Sequence, residues 1–370
     1  MSIYLDFNSS SAPHPEVVNA MCEIFKKPYN NSAAHHLGKQ AESLVQKSIK
    51  SIRNLLNAGN YEVILTSGAT ESSNQVLFNC EVDKLFYSSI EHSCIYNCKP
   101  AEKKIYEFNC DNNGVINLND FEKKITNQRN FLTSAMLANN ETGAIQPVAE
   151  ISKITHKNLG LFFCDIVQGV GKIEIDLEEL NVDFACLSAH KIYGPQGIGA
   201  LLIRKGIELK PLIYGGKQQN SKRAGTQNIA SIVGFGVACD IASQRLQQFS
   251  QIANLRNYLE KSLKEIANDN IKIISEDAPR LANTSFIALK NVDAQTQLIN
   301  FDLNKICVSA GSACSSGTIA QSRISQALGL EKHFLNSAIR VSLGFENTKS
   351  DIEKFINVWY NFYQQKFKKK

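Results

Sequence analysis

Apolar positions recur every three to four residues over two early stretches, the spacing of amphipathic helices. Residues 15–27 predict the first: Pro15 suits an opening turn, and Val17, Val18, Met21, Ile24 and Phe25 share one face. Residues 37–57 predict a longer one that buries Ala41, Leu44, Val45, Ile49, Ile52 and Leu56. Short apolar runs then take over, at 63–66, 84–87, 132–137, 161–164, 184–188 and 198–203. Each is too short for a helix, and several are bounded by polar residues or glycine. Strands with crossover helices follow, hence an α/β fold around a mostly parallel sheet. After Leu255 the pattern changes to helix, strand at 271–274, strand at 284–288, helix, a small-residue loop at 309–318 and helices to the end. This reads as a smaller α+β domain. The expected division is a large domain over 15–250 and a small one made of 1–14 and 251–370.

Composition narrows the class. Of 370 residues, 43% are hydrophobic and 20% charged, the balance of a water-soluble globular chain. No uninterrupted apolar run approaches the ~18–20 residues of a membrane span. The opening MSIYLDFNSSS lacks the basic and apolar regions of a secretory leader, so a cytoplasmic protein is expected. Much of the net charge of +5 sits at Lys366 and Lys368 to Lys370, and no aromatic residues interleave with it, so no direct nucleic-acid partner is expected. The ten cysteines form no Cys-x-x-Cys pair, and reduced thiols follow. Cys22, Cys80, Cys164, Cys186 and Cys239 lie among apolar residues and read as core. No metal site is expected.

Seven stretches carry chemistry. In Ser188-Ala-His190-Lys191-Ile-Tyr-Gly, a lysine directly follows an apolar strand. Desolvation favours its neutral amine, which condenses with an aldehyde, and Ser188 and His190 are candidate phosphate donors. Asp165 ends the run at 161–164, with Gln168 three residues on; a carboxylate there suits a protonated pyridine nitrogen in the crevice at the strand ends. Thr66-Ser-Gly-Ala69-Thr70 leads into a helix whose free N–H groups suit a phosphate. His92 follows the run at 84–87 and could stack on a ring and move protons. Asn139 and Asn140 follow the next strand and offer amide hydrogen bonds. Arg340, alone in an apolar strand, calls for a buried anion: a substrate carboxylate or a structural partner. Finally, Cys314 sits in Gly-Ser-Ala-Cys-Ser-Ser-Gly, a run that buries little; a thiol there suits a travelling nucleophile.

Taken in this order, the motifs resemble the class V aminotransferase-like enzymes that use pyridoxal 5'-phosphate (PLP), and among them the NifS/IscS-type cysteine desulfurases of the group I branch. The resemblance runs from Tyr4-Leu-Asp6 through Arg340 and Gly344. It implies the aspartate-aminotransferase-like fold type I and conversion of L-cysteine to L-alanine. Lys191 would hold PLP as a Schiff base, with Asp165 on the pyridine nitrogen and Gln168 on the ring oxygen. Ala69, Thr70, Ser188 and His190 would hold the phosphate, and His92 would stack on the ring and act in acid–base steps. Asn140 and Arg340 would bind the substrate carboxylate. Thr226 would reach the phosphate of the partner subunit in a homodimer. Cys314 would accept the sulfur as a persulfide, for delivery to an Fe–S scaffold or another acceptor protein.

The chain departs from the family pattern in places. The N-terminal DNNATTP appears as Asp6-Phe-Asn-Ser-Ser-Ser-Ala, and NPSS as Asn30-Asn-Ser-Ala with His35 to Gly38 retained. A Gln-Glu pair reads Gln218-Gln219, and the serine of RSGT reads Ala224. None removes a proposed catalytic group. Rival readings are a selenocysteine lyase, another class V aminotransferase or lyase, which would not need Cys314, and a non-catalytic binding homologue.

Overall fold

The computed structural model describes residues 2–311 and 322–367; Cys314 lies outside them. Helices α1 (Pro15–Phe25) and α2 (His36–Leu55) precede a seven-stranded sheet. Its strands are β1 (Tyr61–Thr66), β2 (Lys84–Ser88), β3 (Lys104–Phe108), β4 (Phe131–Met136), β5 (Leu161–Asp165), β6 (Phe184–Ser188) and β7 (Gly199–Arg204), in the spatial order β1-β7-β6-β5-β4-β2-β3. From β3 through β6 every neighbouring pair is parallel, and β7 alone runs antiparallel to both its neighbours. Strands β4 and β6 are buried at every position, which is why they read as continuous apolar runs rather than alternating ones.

Helix α3 (Ala69–Asn79) and the short α4 (Ser93–Tyr96) follow β1 and β2. The long α5 (Ile229–Phe249) packs on α1 and α2; by length and composition it could cross a membrane, yet 61% of its apolar window is buried inside this protein. It is therefore a core helix.

A second hydrophobic cluster combines Ile3 and Leu5 with residues from Phe249 onward, including Leu259, Ile287, Val341 and Trp359. Here α6 (Ile252–Ala267) and α7 (Lys349–Phe367) cover an antiparallel sheet of β8 (Ile271–Ile274), β9 (Thr284–Leu289) and β10 (Ala338–Ser342), extended by Ser309–Ala310. Residues Ile3–Tyr4 pair with Ile306–Cys307, tying the chain's first residues into this cluster.

Several expectations need correction. On α1, Val17 and Ile24 are buried, but Val18 and Phe25 are exposed, and so is Cys22, which is not a core residue. The apolar spacing marks a helix there without fixing how far its buried stripe extends. Strand β3 was not anticipated: at the sheet edge it shows a mixed sequence, Lys-Ile-Tyr-Glu-Phe, because only part of it is covered. Helices do not run unbroken to the end: the strand expected around Arg340 is β10, between the helix Arg323–Ala327 and α7.

One ion pair anchors the second cluster. Arg280 donates to both carboxylate oxygens of Glu260 at 2.9 and 3.0 Å, with both side chains under 10% exposed. Glu260→Gln removes the charge and leaves a buried guanidinium unpaired, so it is expected to cost about 3 kcal/mol. A lowered thermal unfolding midpoint would show this; an unchanged one would refute it.

Candidate active site

The site is assembled at the C-terminal ends of the strands, where the loops after β1, β2, β4, β5 and β6 converge. They line a cavity of about 320 Å³. Ala69, Thr70, His92, Asn140, Asp165, Gln168, Ser188, His190, Lys191 and Arg340, all singled out from the sequence, border it together. Thr226 does not: it is exposed, on the loop before α5, and absent from this cavity's lining.

Lys191 follows β6 by one turn. Its Nζ donates to the carbonyls of Asn8, at 2.7 Å, and Ser9, at 2.6 Å. Desolvation, reinforced by the Arg340 cation, lowers its pKa to about 8. Asp165 closes β5; Val167 N–H donates to its Oδ1 at 2.9 Å, and burial pushes the carboxyl above the usual aspartate range. A cationic ring nitrogen beside it would reverse that shift.

The phosphate-sized end is built from backbone. Gly68, at φ +155° and ψ 177°, precedes α3 in a conformation only glycine adopts readily, and no side chain caps the helix. A Cβ on Gly199 would stand 2.7 Å from the Gly68 Cα, so two glycines let the start of α3 press onto the sheet. Ser188 Oγ accepts from Ala69 N–H at 2.8 Å. His190, its pKa lowered to about 4 by burial and by Lys191, is neutral and sits 3.2 Å from Ser10 Oγ.

His92 caps α4. Its Nδ1 accepts from Cys94 N–H at 3.3 Å and lies 3.1 Å from Cys94 Sγ. The ring is open to the cavity but walled by protein, so desolvation holds its pKa below the ordinary histidine value. Behind it, the buried Glu91 has its pKa raised to about 8 by burial, while its Oε1 accepts from Ser88 and from Met136 N–H.

Arg340 has the structural partner that a buried arginine calls for. Its Nη2 pairs with Asp6 at 2.6 Å and its Nη1 donates to the Asn140 carbonyl at 3.0 Å. Its Nε is buried with no partner among the described residues. The Asp6 pair supplies a structural partner, while the side chain still borders the cavity.

Sequence reasoning missed Asp6, Asn8, Lys172 and Cys94. Asn8 joins the largest number of these groups, and its position in the departure from DNNATTP was its only signal. Of the other departures, Gln219 bonds both backbone groups of Leu65 on the edge strand β1, and Ala224 is buried.

The donor set fits PLP: an amine with a lowered pKa, a buried carboxylate, an uncapped helix start flanked by hydroxyls, and an imidazole. A family model described as aminotransferase class-V matches residues 3–355. The cysteine desulfurase IscS of Dictyoglomus turgidum is 34% identical over 368 residues, covering 96% of this chain and 93% of that protein. The crystal structure of a NifS-like protein from Rickettsia africae matches with a TM-score of 0.92 at 35% identity, over 98% of this chain and 100% of that one. A structure described as SspA in complex with cysteine matches with a TM-score of 0.80 at 28% identity, over 92% of this chain and 99% of that one.

Proposed function

This chain belongs to the class-V aminotransferase family and, within it, to the cysteine desulfurases, and from that premise we propose that it converts L-cysteine to L-alanine with PLP and takes the sulfur on Cys314. The observation that carries this reading is one cavity bordered by Lys191, Asp165, the start of α3 and Arg340. That a similar protein was solved with cysteine bound supports the substrate class.

PLP supplies an aldehyde that condenses with amines and a protonated ring that stores an electron pair. Lys191 holds it and moves the substrate's Cα proton; a pKa of about 8 lets the amine work near neutral pH. Asp165 keeps the ring nitrogen protonated, and Gln168 offers an amide to the ring oxygen. Ala69, Thr70, Ser188 and His190 orient the phosphate. His92 covers the ring and serves a second proton transfer. Arg340 and Asn140 fix the substrate carboxylate, with Asp6 holding the guanidinium plane. Cys314 bonds to the substrate sulfur as its bond to carbon breaks; the carbon takes a proton, leaving alanine and a persulfide.

The persulfide then passes to an Fe–S scaffold or another acceptor protein in the cytoplasm. Thr226, exposed and absent from its own cavity's lining, completes the phosphate site of a second copy in a homodimer. Purified protein given L-cysteine and a thiol reductant should yield sulfide and alanine in equal amounts. Pyruvate in place of alanine would point to a lyase instead, and activity on selenocysteine alone to a selenocysteine lyase.

A further inference from the structure

Lys172 is buried, 7% exposed, in the turn after β5. It forms no ion pair among the described residues. Its Nζ instead donates to two amide oxygens, Gln168 Oε1 at 2.7 Å and Asn8 Oδ1 at 2.8 Å. The charged groups acting on it are the cations Lys191 and Arg340, which together with burial disfavour the ammonium form. A buried amine among cations is costly to keep unless it orders something.

What it orders is legible from its two partners. An amide side chain has a donor end and an acceptor end. With Gln168 Oε1 held by Lys172, its Nε2 donates to the Asn8 carbonyl at 3.0 Å and has a second N–H for the cavity it lines. The same Asn8 carbonyl accepts from Lys191 at 2.7 Å. We propose that Lys172 is a positioning residue: it fixes the Gln168 amide so that its N–H faces the cofactor's ring oxygen, and holds Asn8 so that its carbonyl meets Lys191. This rests on the PLP reading above and goes beyond it by assigning a residue that touches neither cofactor nor substrate.

An N–H on the ring oxygen favours its deprotonated form. The pH midpoint of the visible absorbance of the lysine-bound cofactor reports that equilibrium. In Lys172→Met the stem is kept and the amine lost, so the Gln168 amide can turn over and the midpoint should rise by about one unit, a tenfold change in the protonation equilibrium. Gln168→Leu should raise it in the same way, and adding Lys172→Met to Gln168→Leu should move it little further, because both act through one amide. Lys172→Gln, which keeps one polar contact, should give a smaller shift.

A wild-type midpoint in Lys172→Met overturns the proposal. So do additive shifts in the double variant, which would mean that the charge acts directly, and failure of both Lys172 variants to fold, which would mean a role in stability alone. Wild-type protein with no visible cofactor band would instead overturn the PLP reading itself.

Discussion

Lys191→Ala is expected to lower the rate of alanine formation by at least about 10³-fold, since both cofactor attachment and proton transfer at Cα are assigned to this one amine. The fold should survive: the side chain is only half-buried, and its two bonds are to backbone carbonyls of Asn8 and Ser9. Borohydride should fix PLP to wild-type protein at Lys191 and fail to do so in the variant. Normal turnover by Lys191→Ala would defeat the assignment.

The wild-type protein adds a pH signature. With Lys191 at about 8, the neutral amine fraction rises about tenfold between pH 7 and 9 and then levels. An unperturbed lysine near 10.4 would still be climbing about tenfold per unit there. The rate at which apoprotein takes up PLP should follow the first curve. The sign for stability is opposite to that of a salt-bridged lysine. The folded pKa lies below the unfolded one, so above about pH 8 the unfolded chain binds the extra proton, and this group's contribution to stability improves as pH rises toward 10.4.

The strands that hold the site were legible because they are buried on both faces, and their ends drew attention because sheets of this kind bind ligands at the carboxyl ends of their strands. Asp165, His92, Asn140 and Lys191 all stand at such ends. What could not be read is pairing across the chain. Arg340 announced itself as a cation in an apolar strand, but its partner Asp6 lies 334 residues away. Lys172 carries no local signal of its role; only the fold brings it to Asn8, 164 residues earlier. Edges escaped for another reason. Strand β3 and the exposed side of α1 mix polar and apolar residues, so their pattern marks no single buried face.

Cys314→Ser should separate loading of the site from sulfur transfer. Serine keeps the size and polarity of the residue but removes the nucleophile, and Lys191, Asp165 and Arg340 are untouched. PLP binding and the spectral response to added cysteine should therefore remain, while alanine release falls on the order of 10²-fold or more and the protein persulfide vanishes. The rival nucleophile is Cys94, which borders the same cavity, 3.1 Å from His92 Nδ1. Burial, with the Asp165 carboxylate adding to it, pushes the Cys94 thiol up to about 12, so almost none is thiolate at neutral pH. Cys94→Ala should thus keep persulfide formation, and replacing the buried Cys186 should at most cost stability. Peptide mapping after cysteine treatment and thiol trapping decides between them. Extra sulfur on Cys314 supports the assignment; extra sulfur on Cys94, or normal alanine production by Cys314→Ser, would show that the sulfur takes another route.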